Sequence, residues 1–473
     1  MTMPHSLSLS KRDQWFWGAL IAFELSLAVI ATTLYMKGER PFLEFFQYGP
    51  GIVLLVALTV FVLSTWSVVH RCVAQHRAPS GHFRFVIMMN LATMMVLLIS
   101  TELMVRVSAR REAGKQFVGN VELIPRDWGR TRAYYRALWK KSKSSDAPLM
   151  VYDDQMGWGI GRNGFSAPMG EQPYWSSAEG LRAPQGKLTL IRPNARTKIA
   201  LIGDSFTFGE EVSFEETWGY RVDQWLGPET QVLNFGVPGY GLHQAYLRYE
   251  KEVRSWKPHV VIFGFISHNL HRTMRVYPFL STNWDIPFSE PRFDFRDGEL
   301  INLNPHPLPP DAIFAKKSIQ KLPLLTYDPG YVPHQWQRRW YHHSYLVRFI
   351  MSVFPACSPE RPETSEEKLL VINGEILKAF MQEVQKDGAI PFVVYFPLRA
   401  DFGSSSSSPP LGKRMLEEAG IPYIDTTPCL MEVDPKDRFL VGHYSPTGNA
   451  AVAKCVYEAI KELLASIMKQ SAS

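Results

Sequence analysis

An α/β domain built on a parallel sheet, standing behind three membrane-spanning helices, is what the 473 residues predict. The first 110 residues hold three long apolar runs, while the remainder has the mixed composition of a water-exposed protein. Beyond about residue 148, short apolar runs alternate with helix-like segments. That alternation calls for parallel strands with helices on both faces. Residues able to do chemistry fall just after the strands, where ligands bind in such sheets. A chain of this length also implies more than one unit.

In chain order, the membrane region comes first, over residues 1–110. The run at 15–36 makes a helix about 33 Å long, enough to cross a bilayer. The run at 50–69 is free of charge, and a third spans 83–105. Trp15, Trp17 and Trp66 lie near span ends, as interfacial aromatics do. Lys11 and Arg12 precede the first span, and Arg71, Arg77 and Arg84 lie between the second and third. The positive-inside rule then places the N-terminus in the cytoplasm and everything after about residue 106 outside it. Arg106, Arg110, Arg111 and Lys115, at the outer end, run against that assignment. Glu24 and Asn90 fall within spans, and a protonated Glu24 bonded to a neighbouring helix explains the first.

After a linker at 111–147, the α/β domain occupies 148–473. Strands are expected at 199–203, 231–235, 259–265, 391–396 and 421–425, and helices at 211–226, 241–256, 366–387, 411–419 and 446–466. Residues 270–365 are too long for an ordinary loop and form an insert rich in aromatics, among them Trp284, Trp336 and Trp340. Leaving the carboxyl edge of the sheet, the insert overhangs the site, with Trp336 and Trp340 expected to line a substrate groove. A second connection, 397–410, carries a polar Ser-rich tract.

Net charge is +6 with no basic stripe, which gives no case for nucleic acid. The four cysteines, Cys72, Cys357, Cys429 and Cys455, have no zinc-site spacing. His342 and His343 are adjacent, without the spacing of helical metal ligands. No metal and no cofactor are expected. Cys357 and Cys429 sit in Pro-containing loops and pair if the domain lies outside the cytoplasm; two unpaired thiols are the alternative.

An ester hydrolase needs an activated nucleophile, a base and donors for the oxyanion. Ser205 follows the first strand at a turn into a helix, so its own N–H can face developing negative charge. Gly239 in "NFGVPGYG" leaves room for backbone approach, with Gly236 an alternative register, and Asn269 in "FISHNL" offers an amide donor. His443 in "GHYSPTGN" precedes the last helix and can serve as general base.

The order Ser, Gly, Asn, His, each after its own strand, resembles the SGNH (GDSL-type) hydrolase superfamily. "GDSFTFG", "NFGVPGYG", "ISHNL" and "GHYSPTGNAAVA" align with its four blocks, and the resemblance covers roughly 150–466. "YDDQMGW" and "SSAEGLRA" look like the lead-in of membrane-anchored bacterial members. The resemblance implies a three-layer, flavodoxin-like fold and ester chemistry at Ser205 and His443, with an oxyanion hole of Ser205, Gly239 and Asn269. Two departures stand out. Leu270 replaces the usual Asp after Asn269, and Leu440 stands where an acidic residue normally precedes the histidine by three. Asp437 and Asp434 are the nearest carboxylates, and Asp437 is taken as the third triad member.

The expectation is a serine esterase of a bacterial inner membrane, its catalytic domain periplasmic, that removes O-acyl groups from a glycan or lipid-linked sugar. An O-acyltransferase using the same Ser–His pair, and a non-catalytic glycan-binding factor on a degenerate domain, are the alternatives.

Overall fold

The computed structural model describes residues 81–167, 172–186, 189–281, 284–354, 365–403 and 408–472. The first two expected spans, Glu24, Cys72 and Cys357 lie outside these residues. The chain divides into two compact units, Met1–Arg130 with Pro333–Pro359, and Thr131–Val332 with Glu360–Ser473. The 270–365 insert is therefore shared between units rather than forming one lid.

In the first unit, the third expected span falls on helix Gly81–Ser108. Met88, Leu91, Met95, Val96, Leu98, Ile99, Leu103 and Met104 are all exposed on it. Counted over the described residues alone, no helix is long and apolar enough to cross a membrane. Glu102 on this helix accepts hydrogen bonds from the Ser344 hydroxyl and the Tyr345 and Leu346 N–H groups, and so caps helix Tyr345–Val353. The segment expected as a linker is structured. It holds strands Arg110–Glu112, Lys115–Val118 and Val121–Glu122 in this unit, then helix Trp128–Lys143, which from Thr131 on is counted with the second unit. Arg348 is buried and offset by Gln116 Oε1 and the carbonyls of Leu123 and Pro125.

The second unit is built on five parallel strands: β1 (Thr197–Gly203), β2 (Thr230–Asn234), β3 (Val260–Phe265), β4 (Ile390–Tyr395) and β5 (Ile424–Asp425). Their order is β2-β1-β3-β4-β5, a doubly wound arrangement. Its helices are α1 (Ser205–Phe208), α2 (Trp218–Leu226), α3 (Leu242–Lys251), α4 (Ser267–Thr273), α5 (Glu366–Lys386), α6 (Leu411–Ala419) and α7 (Pro446–Ala472). Successive strand side chains point to opposite faces. Ile199, Leu201, Val260 and Ile262 pack with Trp218 and Val222 of α2 and Val452, Val456 and Ile460 of α7. Ala200, Ile202, Val261 and Phe263 pack with Ala245 and Tyr249 of α3, Ile376 and Phe380 of α5 and Leu416 of α6. Three layers result, both faces of the sheet are covered, and the central strands β3 (VVIFGF) and β4 (IPFVVY) are apolar throughout for that reason.

One element departs from the sequence pattern. The helix expected over 211–226 begins only at Trp218, where the Thr217 hydroxyl accepts from the Tyr220 N–H. Before it, α1 lasts one turn and ends at Gly209 in the left-handed region. Glu211 also has a positive φ of 69°, which costs a non-glycine residue about 1–3 kcal/mol. Residues 209–213 therefore form a strained loop at the sheet edge. Cys429 bonds to Cys455, not to Cys357, which corrects the expected pairing. The reason is proximity: Cys429 sits on helix Thr427–Met431, which packs against α7, the helix that carries Cys455.

Candidate active site

β1 delivers Asp204 and Ser205 to the carboxyl edge. Asp204 is the N-cap of α1: its Oδ1 accepts from the Phe206 N–H at 2.9 Å. Its Oδ2 accepts from Asn269 Nδ2 at 2.9 Å and from Arg272 Nη1 at 3.1 Å. Asp204 is 1 % exposed. A carboxylate so enclosed needs these partners, because a buried charge without them is very costly.

The last connection delivers His443. In "HYSPTGN", the Ser445 hydroxyl accepts from the Gly448 N–H, and Asn449 reaches back to the Tyr444 and Ser445 carbonyls. Asn449 Oδ1 also accepts from the Trp218 N–H, so the starts of α2 and α7 are tied together. Gly448 is required here, since a Cβ would stand 2.2 Å from the Arg438 carbonyl oxygen. Held in this way, His443 Nε2 lies 2.8 Å from Ser205 Oγ.

The other ring nitrogen finds a carboxylate, but not the expected one. Asp437 is exposed on a short 3₁₀ turn, and its backbone carbonyl accepts from the Ser445 hydroxyl. The group at His443 Nδ1 is Glu211, at 3.1 Å. Glu211 also accepts from the backbone N–H groups of Val441, Gly442 and His443, so the loop before the histidine wraps around it. Burial pushes this carboxyl up, yet the hydrogen bonds from the His443 ring and the Gly442 and His443 N–H groups outweigh it, and the pKa is lowered. With Glu211 accepting from Nδ1–H, the bare nitrogen faces Ser205. A second carboxylate, Glu210, places Oε2 3.2 Å from Nε2. Its carboxylate can accept a hydrogen bond from an Nε2–H. The sequence reading misses Glu211 because it assigns 211–226 to a helix, and it gives Glu210, just before that helix, no role. The positive φ at Glu211 turns it back onto the histidine loop, and no propensity signals that turn.

The donor side is divided. The N–H groups of Ser205 and Gly239 make no backbone hydrogen bond among the described residues. Gly239 has a φ of 83°, and a Cβ there would meet Ile286 at 3.0 Å and Trp158 at 3.3 Å. Asn269 is 2 % exposed. Its Oδ1 accepts from the Ile266 N–H, and Nδ2 donates to Asp204 and to the Tyr240 carbonyl at 2.8 Å. Both amide hydrogens are thus used within the protein. Asn269 braces Asp204 and the Gly239–Tyr240 turn in place of facing an oxyanion. Gly236 lies with its N–H on Asn234 Oδ1, which separates it from Gly239. Leu270, in the place of the usual Asp, is buried in the core.

The two tryptophans expected to line a groove belong to the first unit. Trp336 is buried, 6.3 Å from the Trp128 ring and under the Arg126 guanidinium, and is a packing residue. Trp340 is 82 % exposed. Among the described residues no group of His, Cys, Asp or Glu is placed to hold a metal ion.

No family model and no curated protein matches the sequence. Solved structures that it is similar to include a G-D-S-L family protein from Desulfitobacterium hafniense, 16% identical over 56% of this chain and 99% of that one, with a TM-score of 0.28. A lipase/acylhydrolase from Enterococcus faecalis is also 16% identical, over 56% of this chain and 96% of that one, with a TM-score of 0.29. An acetylxylan esterase from Geobacillus stearothermophilus is 13% identical, over 57% and 96%, with a TM-score of 0.30. The second unit is thus a doubly wound α/β unit whose β2-β1-β3-β4-β5 sheet brings Ser205 and His443 into hydrogen-bond contact and Asn269 onto Asp204.

Proposed function

We propose that the protein is a serine ester hydrolase, with Ser205 as nucleophile, His443 as base and Glu211 as the carboxylate that orients the ring. The observation that carries this is the Glu211–His443–Ser205 relay, with contacts of 3.1 and 2.8 Å. His443 Nε2 takes the Ser205 proton as Oγ attacks the acyl carbonyl. The oxyanion that forms is met by the Ser205 and Gly239 N–H groups. His443 then gives the proton to the departing sugar oxygen, and water, deprotonated by the same ring, releases the acid and restores Ser205.

The substrate proposed is an O-acyl group on an extracytoplasmic glycan or lipid-linked sugar, with the chain tethered in a bacterial inner membrane. Support for the tether comes from the apolar runs at 15–36, 50–69 and 83–105 and the exposed apolar side chains of helix Gly81–Ser108. The Cys429–Cys455 bond suits an oxidising compartment. The test is acetate release from O-acetylated oligosaccharides by the purified full chain, with Ser205→Ala as control. Release by wild type alone supports esterase activity; release by neither protein, from any acylated sugar, contradicts it.

A further inference from the structure

The 270–332 part of the insert stays with the active-site unit, and one of its aromatics borders the Gly239 turn. We propose that Trp284 is the sugar platform of the Ser205 cleft, taking the apolar face of an O-acylated pyranose. This rests on the esterase reading and names its substrate class. Trp284 Cζ3 lies 3.9 Å from where a Cβ on Gly239 would stand, so the indole borders the turn that supplies an oxyanion N–H. The Arg272 guanidinium lies 4.8 Å and that of Arg275 5.4 Å from the ring centroid. Both cations are themselves anchored, Arg272 on Asp204 next to the nucleophile and Arg275 on Glu290 at 2.9 Å. The Trp284 carbonyl accepts from the hydroxyl of Tyr135, a residue with 0 % exposure. The ring is therefore fixed before any ligand arrives, which lowers the ordering cost of binding. Yet it remains 38 % exposed. A lone exposed aromatic needs no explanation; one clamped by two buried guanidiniums at the edge of a catalytic turn does. The axial C–H bonds of a pyranose carry partial positive charge and suit the negative face of an indole.

Binding and catalysis are read separately. Ser205→Ala full-length protein, with and without Trp284→Ala, is titrated calorimetrically with O-acetylated tetrasaccharides, one neutral series and one uronate series. Trp284→Phe, which keeps a ring, serves as the conservative variant. In the Ser205-intact protein, labelling by a fluorophosphonate reports whether Trp284→Ala leaves the fold and the serine competent. The expected result is a tenfold or greater rise in Kd for Trp284→Ala with at least one series, about threefold or less for Trp284→Phe, and labelling of Ser205 that still goes to completion. Equal Kd values with and without Trp284, or no binding of either series to the Ser205→Ala protein, overturn the platform. If Trp284→Ala fails to label, the comparison rests on Trp284→Phe and Trp284→Leu, and equal Kd values for those two overturn it. Failure of wild type to label counts against the esterase reading instead, whatever the Kd values show.

Discussion

Glu211 is asked to do two things, and they can be separated. Its carboxylate holds the Nδ1–H of His443, and it gathers three consecutive backbone N–H groups of the preceding loop. Glu211→Gln keeps an acceptor of similar shape but also brings donors, so the ring loses its fixed tautomer. Turnover of 4-nitrophenyl acetate should fall by up to about 10⁴-fold, by analogy with triad carboxylates, while Asp437→Asn should change it less than twofold. The reverse pattern would return the role to Asp437. Stability gives a second readout. Because the folded pKa of Glu211 is depressed, its contribution is fully present above the unfolded carboxyl value of about 4.3 and is lost as pH falls through the folded value. Denaturant titrations should show Glu211→Gln costing more at pH 7 than at pH 3; an equal cost at both would contradict the depressed pKa. Asn269→Ala should destabilise by about 1–3 kcal/mol, since the Ile266 N–H, Asp204 and the Tyr240 carbonyl all lose a buried partner. An Asn facing the cleft would show no such loss in a melting experiment. Ser205 and His443 could be picked out of the sequence because each sits in a compact motif, Ser205 at the end of β1 and His443 just before α7. Glu211 could not, because what brings it to the ring is a single backbone dihedral.

At the scale of elements, strands are where sequence and structure agree most closely. All five fully or partly apolar runs became strands of one parallel sheet, displaced by no more than a few residues. Burial on both faces makes such runs conspicuous. The segment 205–226 was hard for the opposite reason. Its acidic, helix-compatible composition hides a one-turn helix, a reversal and a new N-cap at Thr217. Chain reversals are set by φ at Gly209 and Glu211, not by amphipathic period. The aromatics of 333–343 were misplaced because composition says nothing of which unit a segment joins. The Cys429–Cys455 bond closes the stretch that carries His443. For a loop of this length the chain-entropy model gives about 3–4 kcal/mol. Cys455→Ser should therefore lower the denaturation midpoint under non-reducing conditions and make wild type sensitive to reductant. A midpoint unchanged by either treatment would mean that the bond does not form.

For the whole molecule, the proposal is an esterase unit carried outside the cytoplasm by apolar N-terminal helices. A reporter active only in the periplasm, fused after residue 473, should be functional; a functional cytoplasm-only reporter there would reverse the topology. The chemistry itself can be tested without knowing the natural substrate. Full-length protein is treated with a fluorophosphonate, which reacts with an activated serine hydroxyl and leaves unactivated ones alone, and the adduct is mapped by peptide mass spectrometry. One adduct, on Ser205, is predicted in wild type, absent in Ser205→Ala and His443→Ala, and formed much more slowly in Glu211→Gln. Folded wild-type protein that carries no adduct, or carries it at another serine, would contradict a nucleophilic Ser205 and leave the 2.8 Å contact with His443 as a structural hydrogen bond.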